Sequence, residues 1–326
     1  MTRLAFLLAF SVAVAPGCKR GGGARAARDG GPGGAPAATA AEAAKADAGP
    51  ARRGLETAVI GDLAIRRVDP AAFKAALKDE DLAGAIGSVL SGSKGFAASE
   101  SEVPDGRTGV PARIAVTITY DQVNAPKGRS IVCTVEAAIE WQRGQRLTPR
   151  ENVLAERPLP AADGKRAPVI AAELITQSVI EAAQGLRVKE ELRQGDDAAV
   201  IKALDDPDPD VVLWSLELVA ERRLAAGFDP ALAHLRSKDA GVRAAALLAL
   251  VALRDPRAVA PLAKMANFSN SEELKMVIEA VSAIGGDEAA EFLEYVATGH
   301  SDADLRSRAR EGLERIGRRR SPPEPK

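Results

Sequence analysis

The chain repeats one short pattern four times: Asp208-Pro209-Asp210-Val211-Val212, Asp239-Ala240-Gly241-Val242-Arg243, Ser271-Glu272-Glu273-Leu274-Lys275 and Asp302-Ala303-Asp304-Leu305-Arg306. The steps from Val211 to Val242 to Leu274 to Leu305 are 31, 32 and 31 residues. Each segment opens with a residue type that caps helices and reaches its first apolar position three residues later. A period of this length is typical of stacked helical units, so residues 196–318 are predicted to form an all-α solenoid.

Each repeat reads as a pair of helices. Apolar residues recur at helical spacing after every segment, and a shorter apolar helix lies between consecutive segments. These shorter helices contain Val200-Ile201 with Leu204, Leu232 with Leu235, Val259 with Leu262, and Phe292-Leu293 with Val296. One pair cannot bury its apolar stripe alone, so stability requires stacking against neighbours.

The Asp-x-x-Val/Leu-Arg starts, together with the alternating Ala/Leu ladder, resemble HEAT-like repeats of the short bacterial kind first named in phycobilin lyases. The resemblance covers about 120 residues. It implies a stacked helical fold and indicates almost nothing about activity. That family also includes lyases acting on bilin chromophores, and a lyase-like enzyme is therefore one alternative. No residue set for that activity is present in this sequence.

Six residues of the repeats are candidate site residues: Asp208, Asp239, Asp302, Arg243, Lys275 and Arg306. The three aspartates are expected to cap helix N-termini, at about 1 kcal/mol each, and not to bind a metal. The three basic residues could form a stripe that binds an acidic partner. In the alternative interpretation, they pair with carboxylates of neighbouring repeats or cap carbonyl groups.

The N-terminus combines one basic residue, Arg3, with an apolar run from Leu4 to Ala15 that ends just before Cys18. This run has the length of a secretory h-region and is too short to cross a bilayer comfortably. Residues 1–18 resemble a bacterial lipoprotein signal peptide, although Ala15 stands where leucine is usual. The resemblance implies acylation of Cys18 by fatty acids such as palmitate. The alternative is an ordinary signal peptide with a chance cysteine.

Acylation of Cys18 would place the protein in the bacterial cell envelope, facing the periplasm. Lys19 slightly favours the outer membrane. Residues 19–53 are rich in Gly and Ala, lack Val, Ile, Leu and aromatic residues, and are predicted to be a disordered linker. About 35 such residues give a root-mean-square reach of ~30 Å. Residues 319–326 are predicted to be a disordered tail.

Residues 54–193 are predicted to form an α+β domain, an antiparallel sheet packed with helices. The predicted order is a strand over 57–68, helical stretches from Pro70 to Leu90, a hairpin of strands 113–120 and 131–141, a strand over 153–159, and a helix over 169–192. Asp69 is expected to cap the first helix, and Cys133 to be a buried unpaired thiol. Residues 81–96 resemble a helix–Gly–Phe element of envelope lipoproteins that assist transport or activate cell-wall synthases.

The composition limits the chemistry that the chain can perform. Its net charge of −1 does not favour nucleic acid, and it contains only two cysteines and two histidines. No phosphate loop, dinucleotide fingerprint, zinc-protease motif or nucleophile elbow occurs. The sequence therefore predicts no catalytic residues, metal, cofactor or small-molecule substrate.

Two non-enzymatic functions follow. One is a membrane-anchored scaffold that binds other envelope proteins through its repeats. The other is an accessory subunit of a transport or cell-wall synthesis complex, which docks through the α+β domain.

Overall fold

The computed structural model describes residues 56–126, 128–142, 147–160, 166–268 and 270–320. Contacts divide the chain into two compact units, one spanning Gly49–Gly227 and the other containing Phe228–Lys326. The predicted signal peptide and linker lie outside the described residues. So do residues 321–326 of the predicted tail, whereas helix α10 (Ala303–Arg320) includes residues 319 and 320.

The first unit contains a five-stranded sheet in the order β2-β1-β3-β4-β5. The strands are β1 (Glu56–Val68), β2 (Phe96–Ala97), β3 (Thr108–Ala125), β4 (Gly128–Trp141) and β5 (Arg150–Leu159). Helix α1 (Asp79–Leu90) lies between β1 and β2 in the chain. A long helix α2 (Ala167–Gln194) follows β5 and packs against β4 and β5. The predicted hairpin, third strand and long helix are thus present.

The sheet is mixed, and the prediction of a purely antiparallel sheet was wrong. β3 pairs antiparallel with β4, and β4 with β5, but β1 pairs parallel with both β2 and β3. The reason is the connection from β1 to β3, which runs through α1. A crossover through a helix returns the chain in its original direction, so β1 and β3 lie parallel.

The segment between β1 and α1 also differs from its prediction. Residues 69–78 contain no helix, and α1 begins only at Asp79. The Asp69 carboxylate accepts a hydrogen bond from the Tyr120 hydroxyl at 2.8 Å and pairs with Arg67 at 3.0 Å. The Tyr120 oxygen in turn accepts the Ala75 amide proton at 2.8 Å. Asp69 therefore anchors an extended segment to β3 and does not cap a helix.

The core of this unit lies between the sheet and the two helices. Side chains on β3 and β4 alternate between buried and partly exposed positions, as expected of a sheet with one covered face. The largest fully buried side chains of this core are Leu82, Ile114, Ile118, Ile131, Ile139, Ile175 and Leu186. Cys133 is buried on the covered face of β4 and is a free thiol.

Two further helices complete the first unit, α3 (Asp197–Lys202) and α4 (Pro209–Arg222). The Trp214 indole N–H donates to the Lys189 carbonyl of α2 at 2.7 Å. Arg222 donates to the Gly195 carbonyl, just beyond the end of α2, at 2.9 Å. These contacts join the first helix pair of the repeats to α2 within the Gly49–Gly227 unit.

The second unit consists of three helix pairs. The first pair is α5 (Phe228–His234) with α6 (Ala240–Leu253), and the second is α7 (Val259–Met265) with α8 (Ser271–Ile284). The third is α9 (Asp287–Gly299) with α10. Helix α8 contacts both α6 and α10, and α7 contacts α9, so equivalent helices stack on one another. Within the described residues, no helix combines the length and the apolar character that crossing a bilayer needs.

A residue with positive φ follows each of the helices α4, α6 and α8. Arg223 and Arg254, which follow α4 and α6, both have φ of 53° and lie in the left-handed region. At the equivalent position after α8, Gly285 has φ of 80°. Consecutive positions are 31 residues apart, so the period seen in the sequence also appears at the ends of α4, α6 and α8.

Candidate partner-binding surface of the helical repeats

The three candidate aspartates precede second helices of the repeats. Asp208 accepts the amide proton of Asp210 at 3.1 Å, Asp239 accepts that of Val242 at 3.0 Å, and Asp302 accepts that of Asp304 at 2.9 Å. These bonds satisfy amide groups that the start of a helix leaves without a backbone partner. In the described part of the chain, no group of three or more His, Cys, Asp or Glu side chains could hold a metal ion.

The helix cap or the first buried residue lies one position away from the predicted one in two of the repeats. The cap of α8 is Asn270, not Ser271, and its side chain accepts the Glu273 amide proton at 3.3 Å. In α4 the first buried side chain is Val212, whereas Val211 is only partly buried. A cap can lie one residue earlier or later without disturbing the apolar stripe, which is why the sequence pattern does not determine it.

The three candidate basic residues are engaged within the repeats. Arg243 donates to the Ser237 and Lys238 carbonyls at 2.8 and 3.1 Å. Arg306, at the equivalent position of α10, donates to the His300 and Ser301 carbonyls, both at 2.7 Å. Both arginines therefore hold the loop that precedes their own helix.

Lys275 instead pairs with Glu272 at 3.0 Å and lies 3.6 Å from Asp304 of the next repeat. The hydrogen bond to Glu272 raises the pKa of Lys275. The contacts of Arg243, Lys275 and Arg306 are thus all made within the repeats. That these residues also bind a partner stays a prediction.

Sequence analysis missed an exposed group of aromatic side chains in the second unit. We define the aromatic cluster as Phe268, Phe292, Tyr295 and His300. The Phe268 ring lies 6.5, 5.8 and 6.4 Å from the rings of Phe292, Tyr295 and His300, respectively. Phe268 is 41% exposed and Tyr295 is 66% exposed. Aromatic residues make up only 3% of the chain. Their scarcity was the one clue in the sequence that those present deserved a closer look.

Among the described residues of the first unit, the buried charged side chains lie in the C-terminal half of α2. Lys189 pairs with Glu151 of β5 at 3.0 Å, and Arg193 pairs with Glu190 at 2.7 Å. Arg193 also lies 4.7 Å above the Trp141 ring. Burial raises the pKa of Glu217 to about 7, although Lys189 and Arg150 oppose the shift. Lys189 and Arg193 thus join α2 to β5 and β4, respectively.

Neither histidine of the chain belongs to this group of charges, since His234 ends α5 and His300 follows α9. Burial also raises the pKa of the Cys133 thiol to about 11, so it stays protonated and a poor nucleophile at neutral pH. An open groove of about 570 Å³ lies beside α2 and is lined by Arg157, Ala172, Glu173, Thr176, Gln177 and Ile180.

Comparison with known proteins agrees with the geometry of the helix pairs. The model of the HEAT repeat family matches residues 198–275 and 228–314. The C-terminal helices form HEAT-like repeats. This confirms the predicted fold of that region, while the phycobilin-lyase subtype stays a prediction. No curated protein sequence is similar enough to this chain to count as a match.

Solved structures similar to part of this chain include two engineered proteins. One is a designed armadillo repeat protein in complex with the peptide (KR)4, at 19% identity and a TM-score of 0.32. The alignment covers 42% of this chain and 75% of that one. The other, described as an engineered protein, has 20% identity and a TM-score of 0.28, with coverage of 44% and 67%.

Proposed function

We propose that this chain is a membrane-anchored envelope lipoprotein that binds other envelope proteins through its HEAT-like repeats. The observation that carries the proposal is the exposed aromatic cluster on stacked helix pairs whose own apolar stripes are already buried. Exposed aromatic side chains are typical of protein interfaces, where they contribute a large share of the binding energy. The repeats would therefore act as a scaffold and not as an enzyme.

The anchor in this proposal is Cys18. Cys18 would be the N-terminal residue of the mature protein. Two or more acyl chains on it would hold the protein stably to a membrane. Residues 19–53 would then let the folded units reach about 30 Å from the membrane surface. The support for this part is the sequence of residues 1–18 alone.

The scaffold role is tested by comparing the full chain with a variant that lacks residues 228–320. The deletion begins at the division between compact units, so the first unit is left intact. After chemical cross-linking in bacterial cells, the partners of each form are identified by mass spectrometry. The full chain should recover partners that the shortened chain loses, and equal recovery by both would reject the proposal.

The anchor is tested separately with Cys18→Ala. Cells fed a palmitate analogue that carries a chemical tag should label the natural chain and leave the variant unlabelled. The variant should also leave the membrane fraction. Cys133→Ala serves as a control, because removing this buried thiol should not change labelling. A labelled Cys18→Ala chain would disprove lipidation at this residue.

A second candidate function, docking through the α+β unit, is favoured by the open face of the sheet. Val68, Thr119, Thr134 and Leu154 lie side by side across four strands on that face. Val68 and Leu154, at the ends of this row, are both exposed. If this face binds an envelope complex, the double variant Val68→Lys and Leu154→Lys should lose cross-linked partners that deletion of residues 228–320 retains.

A further inference from the structure

The aromatic cluster is an ordered feature of the second unit. Phe268 lies between α7 and α8, and its ring meets that of Tyr295 edge-on, at an interplanar angle of 88°. His300 fixes the loop from the other side, because its Nδ1 accepts the Asp302 amide proton at 3.0 Å. The other ring nitrogen, Nε2, therefore carries the proton and donates to the Phe268 carbonyl at 3.3 Å.

The cluster is unusual for this chain. The sequence contains only seven Phe, two Trp and two Tyr residues, yet three of these eleven meet at one place. Large aromatic side chains normally bury most of their area, whereas Tyr295 keeps 66% of its surface exposed. Packing within the cluster does not account for this exposure of Tyr295. The exposed ring surface is available to a ligand.

The segment of the chain that contains the cluster carries an excess of carboxylates. Residues 264–300 contain seven carboxylate side chains and two lysines, in a chain whose total net charge is −1. Helix α9 itself contains no basic residue. Its exposed Glu288, Glu291 and Glu294 form no ion pair with another described residue. Glu288 precedes Phe292 by four residues and Glu291 precedes Tyr295 by four, so each pair shares a helix face.

Two arginines of α10 near the cluster donate to backbone oxygen atoms and form no ion pair with these carboxylates among the described contacts. Arg306 uses its guanidinium group on the His300 and Ser301 carbonyls at 2.7 Å. Arg310 donates to the Ala297 carbonyl at 3.4 Å. Both therefore contact backbone oxygen atoms near the C-terminal end of α9, where the helix dipole is negative. The three glutamates remain available to a cationic ligand.

We propose that the aromatic cluster and Glu288, Glu291 and Glu294 together bind an arginine-containing basic segment of a partner protein. We call this surface the aromatic–acidic patch. A guanidinium group stacks on exposed aromatic rings, and carboxylates at the edge of the rings attract its charge. This inference rests on the proposed scaffold function and names the part of the repeats that binds and the chemistry of the segment bound.

The test uses the full chain and a fluorescein-labelled peptide of twelve residues in which Arg and Gly alternate. Fluorescence anisotropy at low and at high salt gives the dissociation constant. Tyr295→Ala and Phe268→Ala should each weaken binding about fivefold or more, whereas Tyr295→Phe should retain it. A peptide with Lys in place of Arg should bind more weakly, because an ammonium group lacks the planar surface for stacking.

The charge requirement is tested with the triple variant Glu288→Gln, Glu291→Gln and Glu294→Gln. It should weaken binding about tenfold or more and reduce the salt dependence. Its matched control is Asp62→Asn, Glu136→Gln and Glu156→Gln, which removes the same charge from exposed positions of the sheet. This control should change the dissociation constant less than twofold.

Several results would overturn the inference. Equal losses in the two triple variants would mean attraction by net charge alone, and unchanged binding by Tyr295→Ala would exclude the aromatic rings. Self-association of the chain that Tyr295→Ala abolishes would identify a second copy as the occupant. Because Tyr295 is largely exposed, its variant should fold normally, and circular dichroism checks this.

The scaffold proposal can fail separately. If cross-linked partners depend on residues 228–320 but not on Tyr295 or the three glutamates, the patch is wrong and the scaffold stands. If the patch variants lose the peptide but cross-linked partners do not require residues 228–320, the patch stands and the scaffold role is rejected.

Discussion

The two compact units differ in how their elements pack and in which side chains they bury. In the Gly49–Gly227 unit, strands distant in sequence pair with one another, and the charged side chains of Lys189, Glu190 and Arg193 are buried with them. In the Phe228–Lys326 unit, adjacent helices pack on one another, and Ser282 is the single polar residue among the buried ones that the structure describes. Charge is thus part of the core in one unit and confined to the surface in the other.

This difference can be measured because the two tryptophans of the chain, Trp141 and Trp214, both belong to the first unit. Tryptophan fluorescence therefore reports the unfolding of that unit. Circular dichroism also reports the helices of the repeats. Used together, the two methods assign each effect below to one unit.

Breaking the buried Arg193–Glu190 pair should have the largest effect. Arg193→Ala leaves the Glu190 carboxylate buried without its cationic partner, which costs about 3–5 kcal/mol of unfolding free energy. Tryptophan fluorescence during urea unfolding measures this loss. The comparison variant is Arg257→Ala in the second unit, where Arg257 is largely exposed in its pair with Asp255. Circular dichroism follows this variant, and little change is expected. Similar losses in both variants would contradict the contrast between the units.

Glu217 should make the first unit sensitive to pH. Its folded pKa of about 7 lies above the ordinary value of 4.5, so below pH 4.5 the side chain is protonated in both the folded and the unfolded state. As pH rises from 4.5 to 7, the unfolded chain releases this proton more readily, and stability falls. Glu217→Gln should therefore raise the unfolding free energy by up to about 3 kcal/mol at pH 8.

At pH 4.5 the same substitution should change the unfolding free energy by less than about 0.5 kcal/mol. Urea unfolding at the two pH values, followed by tryptophan fluorescence, provides the measurement. Glu156→Gln, at an exposed position of β5, is the control and should give the same small change at both values. A pH-independent effect of Glu217→Gln would show that ionisation of this residue is not the cause.

Close packing, not charge, should limit the second unit. A Cβ atom at Gly312 of α10 would overlap the Ser282 hydroxyl of α8, whereas one at Gly317 would meet no atom within 4 Å. Gly312→Ala should therefore lower the stability of the repeats by about 1–2 kcal/mol, despite the better helix propensity of alanine. Gly317→Ala should be neutral or stabilise by up to about 1 kcal/mol. Thermal unfolding followed by circular dichroism distinguishes the two.

The contrast between contacts within nearby segments and contacts between distant ones explains how much of the fold could be predicted from the sequence. The helix pairs of the repeats depend on contacts between residues close in the chain, and the apolar period revealed them. The strands of the hairpin were equally visible because alternation is a local property. Neither the parallel pairing of β1 with β3 nor the role of Asp69 could be read, because both depend on contacts between distant segments, such as Asp69 with Tyr120.

The candidate site was predictable only in part. N-cap residues follow from local chemistry, and Asp208, Asp239 and Asp302 all accept backbone amide protons. The aromatic cluster unites Phe268 and His300, 32 residues apart, through the stacking of two repeats. A one-dimensional pattern places each of these residues on its helix or loop but does not show that they meet.

The smallest expected effect concerns the end of α6. Arg254 adopts a left-handed conformation, with φ of 53°, that favours glycine over residues with a Cβ atom. Arg254→Gly should therefore stabilise the second unit by about 0.5 kcal/mol, because the relief of strain exceeds the added entropy of the unfolded chain. Circular dichroism should record the gain while the tryptophan transition stays unchanged. Arg223→Gly, which alters the equivalent position after α4, should instead shift the tryptophan transition. If Arg254→Gly moved both transitions together, the two units would unfold as one, and the distinction between a core with buried charge and a core of stacked repeats would not extend to their stability.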